Sequence, residues 1–167
     1  MDLALVSVMA DTAAAFGVIG SLVFVGFQVR QNSSGLKNAA VQSLMSTYQE
    51  LWSEIISSDE LMALTKQGMR DPAQLDETAL MRFYGFSSKF LRVYQGMHWQ
   101  WKRDVIDDGL FKSMTTFLED MAIYPGWKHV WDVRRHQYDD EFRNFMDEIF
   151  AEEKGVPLWP ELNPVDG

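Results

Sequence analysis

The sequence contains no cysteine among its 167 residues. Disulfide bonds and thiolate chemistry are therefore excluded, and the redox state of the compartment is left open. Basic residues are also few, because 15 Lys and Arg stand against 24 Asp and Glu, for a formal net charge of −9. An acidic chain repels nucleic-acid phosphates and anionic membrane surfaces. We therefore expect no nucleic-acid partner and no membrane contact through a basic patch.

Motifs that identify a catalytic site are missing as well. The sequence has no G-x-S-x-G elbow, no glycine-rich phosphate loop and no pair of Glu-x-x-His motifs of the kind found in di-iron bundles. No stretch alternates in the way that strands do. We expect a protein that is not an enzyme and that requires no cofactor.

What the sequence does contain is a long uncharged apolar run. Residues 12–29, TAAAFGVIGSLVFVGFQV, carry no charge, and Asp11 is the single charged residue of residues 3–29. A bilayer core requires about 20 residues of helix, a length that residues 10–29 supply. The run predicts one transmembrane helix. A buried helix of a soluble protein and a cleaved signal peptide remain alternatives, although the chain opens without the basic residues typical of a signal peptide.

The residues that flank this run predict its orientation. Arg30 and Lys37 follow it, and no basic residue precedes it. The positive-inside rule then puts the N-terminus outside and the C-terminal body in the cytoplasm. Asp11 is expected at the outer interface, because a carboxylate at mid-membrane is costly; a buried functional carboxylate is the alternative.

Small residues form a stripe along the predicted span. Ala13, Gly17 and Ser21 recur every four residues, and Gly20 lies beside them. Such a stripe lets two helix backbones approach closely in lipid. We expect it to pack against another membrane-protein subunit or a second copy of the chain, although small residues are also common in spans that do not associate.

Downstream, apolar residues recur at intervals of three and four, the period of amphipathic helices. Gln31 to Gly35 is a polar break through which a helix could also continue. The spacing predicts helices over 36–55, from the capping box of Ser57 and Glu60 to about 68, and over 77–103, 110–122, 127–136 and from Asp139 to about 150. The predicted fold class is all-α: an N-terminal segment and transmembrane helix (1–31), then a compact cytoplasmic helical bundle (32–154).

The last 13 residues, GVPLWPELNPVDG, differ in composition from the rest. Three of the five prolines lie in this tail, residues 155–167, so it cannot be helical throughout. Leu158, Trp159 and Leu162 are its large apolar residues, and an exposed Trp gains nothing in water. We expect these residues to dock on the protein's own bundle or on a partner; a loose terminus is the alternative.

Two groups of polar residues invite a functional interpretation. His129, Asp132 and His136 have helical spacing and could bind a transition metal. The cationic residues around them favour a solvated face instead, so no metal is expected. His98 shares a helical face with Tyr94 and is interpreted as a buried imidazole hydrogen-bonded to Tyr or to backbone.

Residues 28–32, QVRQN, close the apolar run. This element resembles a widespread set of uncharacterised bacterial proteins in which one N-terminal span ends in a Q-[VI]-R-Q-N motif. The likeness continues loosely to residues 131–150, and those proteins often carry an acidic residue before the span, as Asp11 does here. The resemblance implies a single-pass protein of the bacterial inner membrane. It implies no mechanism.

These observations together predict a non-enzymatic, membrane-anchored interaction protein. The expected role is an accessory or scaffolding subunit of a larger bacterial membrane complex. One alternative is a homo-oligomeric sensor module that binds a small apolar ligand in the bundle. The other is a metal-binding or enzymatic bundle that uses His98 or the face of His129.

Overall fold

The structure is a computed structural model of the chain, and it describes residues 3–152 and 154–157. Over these residues the fold is all-helical and contains no strand, which confirms the predicted all-α class. The α-helices are α1 (Leu3–Ile56), α2 (Asp59–Arg70), α3 (Glu77–Trp101), α4 (Asp108–Ala122), α5 (Pro125–Arg134) and α6 (Asp140–Glu152), and short 3-10 helices cover Pro72–Gln74 and Arg135–Gln137.

The chain divides into two compact units, Met1–Ala40 and Val41–Gly167. In the first unit, α1 is long and apolar enough to cross a membrane, and its most apolar window has a mean hydropathy of 1.9. None of that window is buried. The large apolar side chains of this unit that are at least half exposed are Val8, Met9, Phe16, Val18, Ile19, Leu22, Val23, Phe24, Val25, Phe27, Val29 and Leu36.

The polar segment after the apolar run does not interrupt α1. Residues 31–35 are helical throughout. The Ser34 hydroxyl donates to the Arg30 carbonyl one turn earlier, at 3.2 Å. This back-bond keeps the hydroxyl paired within the helix, so the serine is accommodated without ending it.

In the second unit, the core is built mainly from aromatic and methionine side chains. The C-terminal part of α1 contributes Leu44, Leu51 and Ile55, whose spacing places them on one helical face. Leu36, which the apolar pattern assigned to the same face, belongs to the first unit and is exposed. The largest fully buried side chains are Tyr94, Tyr124, Phe83, Phe90, Phe142, Leu51, Met69, Leu91, Met97, Met146 and Val130.

Aspartate carboxylates cap three of the helices, and the serine cap of α2 corrects one prediction. The carboxylates of Asp76, Asp107 and Asp139 each accept the backbone N–H of the residue three positions on, at 2.8 to 3.0 Å. Helix α2 is capped by Ser58, whose hydroxyl accepts at 3.2 Å, so the prediction of Ser57 is wrong by one residue. Ser57 is still hydrogen-bonded to the end of α1 and cannot cap the next helix.

Helix α3 ends at Trp101, two residues before the predicted end at Arg103. Asp104 has φ 54°, in the left-handed region that a non-glycine residue adopts mainly in turns. The Val105 N–H donates back to the Gln100 carbonyl at 3.0 Å. The turn thereby satisfies a terminal carbonyl of the helix.

Candidate functional site

The second unit contains an apolar cavity of about 160 Å³ that opens to the protein surface. Five helices contribute to its wall, so the site exists only once the bundle has assembled. The lining residues are Trp52 and Ile55 from α1, Met62, Thr65, Lys66 and Met69 from α2, Phe86 and Phe90 from α3, Phe117 and Met121 from α4, and Trp127 from α5.

A close crossing of α2 and α5 positions one side of the cavity. A Cβ on Gly126 would lie 2.8 Å from the Cα of Met69 and closer still to the carbonyl oxygen of Gly68. A Cβ on Gly68 would lie 2.5 to 2.7 Å from the ring of Phe83 in α3. Glycine at position 126 therefore allows a backbone approach between α2 and α5 that any side chain would prevent, and glycine at position 68 leaves room for the Phe83 ring. Trp127, which follows Gly126, is thereby held against α2.

Aromatic rings form part of the cavity wall. Trp52 meets Phe117 edge-on with ring centroids 5.0 Å apart, and it meets Phe90 edge-on at 5.7 Å. Phe90 in turn contacts Trp127 at 6.0 Å, also edge-on. Edge-to-face arrays of this kind are favourable aromatic packing. The wall is therefore a preformed aromatic surface.

Two polar atoms of cavity-lining residues lack a hydrogen-bond partner among the residues that the structure describes. They are the Thr65 hydroxyl oxygen and the Trp127 indole nitrogen. Thr65 is 6 % exposed and Trp127 is 2 % exposed. A buried polar group without a partner costs about 1 to 3 kcal/mol. By contrast, the indole N–H of Trp131 donates to Asp147 at 2.9 Å, and that of Trp101 donates to Asp108 at 2.8 Å.

The residues that line this cavity are almost all uncharged. Lys66 is the single charged residue of the lining set, and it is exposed. Trp52, Met62 and Phe117 are partly exposed, so the cavity wall reaches the protein surface. The lining is therefore almost entirely apolar.

His129, Asp132 and His136 are all exposed, in keeping with the solvated face that the sequence favours. Helix α5 ends at Arg134, and His136 lies in the following 3-10 helix, so the prediction of one helix through His136 is wrong. His129 is hydrogen-bonded through Nε2 to the Tyr84 hydroxyl at 2.7 Å, and the two rings stack. Within residues 3–152 and 154–157, no group of three or more His, Asp or Glu side chains could hold a metal ion.

His98 is buried, 3 % exposed, as the sequence predicts. Burial lowers the pKa of its imidazole from the ordinary value of 6.5, and the Lys102 ammonium lowers this pKa further. The Tyr94 hydroxyl donates to the Met114 carbonyl at 3.4 Å, so this hydrogen bond does not join Tyr94 to His98. His98 lies among the rings of Trp101, Phe111, Phe142 and Phe145.

A polar cluster joins the end of α5 to α6. The Asp147 carboxylate accepts from the Arg135 guanidinium, with the Nε bond at 2.9 Å, and from the Trp131 indole. These hydrogen bonds, with that from Arg135 the strongest, lower the pKa of the Asp147 carboxyl. All three groups are satisfied by one another, so the cluster is a structural clamp between two elements of the bundle.

The predicted helix-packing residues all lie in α1. Gly17, Gly20 and Ser21 are exposed, and a Cβ on either glycine would meet nothing within 4 Å. The Ser21 hydroxyl donates to the Val18 carbonyl of its own helix at 2.8 Å. Ala13 belongs to the same helix. The surface on which the predicted association depends is open in the single chain.

The tail is described only at its start. Gly155 packs on the end of α4, where a Cβ would lie 2.7 Å from the carbonyl carbon of Glu119. The Val156 N–H donates to the Asp120 carboxylate at 2.8 Å. Residues 154–157 thus dock on the protein's own bundle, whereas Leu158, Trp159 and Leu162 lie outside the described residues.

Sequence reasoning kept a small apolar ligand in the bundle as an alternative, but it located neither the cavity nor the two unpaired polar groups. Trp127 was interpreted as a core residue, and Thr65 carried no signal, because nothing in a local pattern says whether a buried hydroxyl finds a partner. Comparisons with protein-family models, curated proteins and solved structures find no match to this chain.

Proposed function

We propose that this chain is a single-pass protein of the bacterial inner membrane whose helical domain serves as a non-enzymatic interaction subunit. Its N-terminus would lie outside and the domain in the cytoplasm. The partner would be another membrane-protein subunit or a second copy of the chain. The resemblance of residues 28–32 to the Q-[VI]-R-Q-N set belongs to the same proposal.

The observation that carries the proposal is the exposed apolar surface of α1 in the first unit. A dozen large apolar side chains there are at least half exposed. Burying a side chain of this kind is worth about 1.5 kcal/mol or more, so transfer of the set to lipid would gain on the order of 20 kcal/mol. An apolar surface of this extent in water would be an aggregation site. A bilayer removes that cost.

The polar residues of α1 fit this placement. Asp11 precedes the most apolar part of the helix, and Arg30 follows it. With Asp11 at the outer interface, the hydrocarbon core meets no charge until Arg30. A charge at the centre would cost about 3 kcal/mol. A helix satisfies all of its backbone hydrogen bonds within one segment, as a single span in lipid requires, and α1 is a helix over this length.

A topology experiment tests the anchor and its orientation. Two reporters are fused separately after Gly167. Alkaline phosphatase is active only outside the cytoplasm, and green fluorescent protein does not fluoresce when it is exported across the membrane. We expect fluorescence and no phosphatase activity. The control carries Arg30→Glu and Lys37→Glu together with two lysines inserted after Asp2, which should invert the result. Phosphatase activity from the unaltered fusion contradicts the orientation, and recovery of the unaltered chain in the soluble fraction contradicts the anchor.

The interaction role is tested by affinity purification in a mild detergent. The small-residue stripe predicts that Gly17→Ile removes a partner that co-purifies with the full chain, because the larger side chain keeps the backbones apart. Gly26 lies nine residues further along α1, on the opposite face, and Gly26→Ile is the matched control. A stoichiometric partner retained by Gly26→Ile and lost by Gly17→Ile supports the proposal. A chain that purifies alone and monomeric, or variants that behave alike, would refute it.

A further inference from the structure

The described part of the tail ends beside the bundle cavity. Gly155 packs on the end of α4, and the Val156 N–H donates to the Asp120 carboxylate at 2.8 Å. Phe117, which lines the cavity, lies three residues before Asp120 on the same helix. We infer that the cavity is the docking site of Trp159, the aromatic residue of the tail, which lies outside the described residues. This inference does not depend on the membrane anchor.

The hydrogen bond at Asp120 brings Trp159 within reach of the cavity. Residues three apart on a helix are neighbours, with about 5 to 6 Å between their Cβ atoms, so Asp120 borders Phe117. Met121, the residue after Asp120, also lines the cavity. Trp159 follows Val156 by three residues, an extended span of up to about 10 Å. The tail is therefore tethered beside the cavity wall, and Trp159 is close enough to enter it.

The opening of the cavity suits an indole ring. Trp52 and Phe117 are partly exposed and meet edge-on with ring centroids 5.0 Å apart, so they offer ring surfaces on which another ring can pack. Met62 is partly exposed as well, and a methionine side chain adapts to the shape of what it contacts. A cavity of about 150 Å³ holds a benzene-sized molecule, and this one measures about 160 Å³. The opening to the surface admits the larger indole and leaves its N–H in water.

The composition of the tail favours Trp159 as the occupant. Pro157 and Pro160 fix backbone dihedrals on both sides of Leu158 and Trp159, which lowers the entropy lost on docking. Trp159 offers more apolar area to bury than either leucine of the tail. A tethered segment also acts at an effective concentration of about millimolar, an advantage that a second copy or a free ligand lacks. The cavity is then self-occupied, and another molecule enters it only by displacing Trp159.

The first test measures the exposure of Trp159 in the full chain. The protein is labelled with 5-fluorotryptophan and held in lipid nanodiscs, and a water-soluble gadolinium chelate broadens the ¹⁹F resonances of exposed rings. Each resonance is assigned by its loss in a Trp→Phe variant. Trp99 is 54 % exposed and Trp127 is 2 % exposed, so they provide the two reference levels. We expect broadening at Trp159 to be about tenfold less than at Trp99, because burial of one large apolar side chain favours the docked state by at least about that factor.

Matched variants locate the docking site. Met62→Asp adds a carboxylate to the cavity wall that a docked ring would have to desolvate. We expect broadening at Trp159 to rise about tenfold in this variant and to reach the level of Trp99. Leu64→Asp is the control, because Leu64 is also a partly exposed residue of α2 but does not line the cavity. It should leave Trp159 protected.

A second measurement leaves every residue of the bundle unaltered. Trp159→Ala should open the cavity to free 5-fluoroindole, which ¹⁹F NMR detects as a saturable bound resonance. We expect this variant to bind fluoroindole at least tenfold more tightly than the parent does, because the parent must first release Trp159. Trp99→Ala removes a tryptophan that does not line the cavity and should bind as the parent does.

Several results would overturn the inference. Broadening at Trp159 as strong as at Trp99 would show that the ring is not docked. Protection that persists in a folded Met62→Asp variant would place the ring elsewhere on the bundle. Protection found only in nanodiscs that hold two chains would make a second copy the docking partner. Equal binding of fluoroindole to the parent and to Trp159→Ala would show that the tail does not occupy the cavity.

Discussion

Replacement of Gly126 by alanine tests the geometry on which the bundle cavity depends. The backbone at this position has no positive φ, so alanine is conformationally acceptable. The obstacle is steric: the new Cβ would lie 2.8 Å from the Cα of Met69, whereas ordinary contact begins at 3.4 Å. The atoms in the way belong to the α2 backbone, including the carbonyl of Gly68, and cannot turn aside as a side chain would.

The size of the effect follows from that obstruction. Helices α2 and α5 must part by more than the roughly 0.6 Å that the Met69 Cα alone would require, because the carbonyl oxygen of Gly68 is closer still, and Trp127 must move with α5. Overpacking of a well-filled core typically costs about 1 to 3 kcal/mol. Because both partners here are backbone, we expect a loss near the upper end, about 3 kcal/mol in the free energy of unfolding. The corresponding fall in Tm is on the order of 10 °C.

Near-UV circular dichroism is the suitable assay. All six tryptophans lie at residue 52 or later, so their signal follows the second unit and not the apolar part of α1. Gly85→Ala is the matched control, because Gly85 lies inside α3 and a Cβ there would meet nothing within 4 Å. That variant should be stabilised by about 0.5 to 1 kcal/mol, the usual gain of alanine over glycine in a helix.

The two substitutions are therefore expected to differ in sign. If Gly126→Ala melts at or above the temperature of the parent, the close crossing of α2 and α5 does not exist. The placement of Trp127 in the cavity wall would then be wrong as well. If Gly85→Ala is also strongly destabilised, the assay reports a general intolerance of substitution rather than the crossing.

Two further predictions concern pH and are separated by their ranges. Because the His98 pKa is lowered in the fold, the unfolded chain binds a proton at a higher pH than the folded chain does, so stability present above pH 6.5 should decline as the pH falls below that value. His98→Gln should remove this pH dependence of thermal unfolding, whereas His136→Gln, at an exposed position, should leave it in place. An unchanged pH dependence in His98→Gln would contradict the prediction. The Asp147 pKa is also lowered, so its contribution should persist down to about pH 4 and be lost only as the pH falls through the lowered folded-state value. Asp147→Asn should lower the free energy of unfolding by about 1 kcal/mol at neutral pH, a modest figure because the ion pair with Arg135 is partly exposed. A decrease within experimental error would show that the cluster of Arg135, Trp131 and Asp147 does not stabilise the fold.

Some features of this protein are determined by its sequence alone, because their causes are local. The apolar run around Gly17 predicts a helix long enough for a membrane, since hydropathy and length are properties of one segment. Asp76 and Asp139 cap the helices that they precede, because a cap needs only the N–H three residues on. The choice between Ser57 and Ser58 was beyond this reasoning, since it depends on where the previous helix ends.

Other features were decided by the tertiary structure. Gly68 has the sequence signal of a helix end, yet it lies inside α2, where a Cβ would overlap the ring of Phe83 in α3. His129 has the spacing of a metal ligand, yet a hydrogen bond to Tyr84, 45 residues away in sequence, occupies its Nε2. Whether Thr65 finds a partner likewise depends on which side chains four other helices bring to it. Periodicity and capping signals predict the position of a residue within its own helix. The cavity arises from contacts between helices, which no local pattern contains.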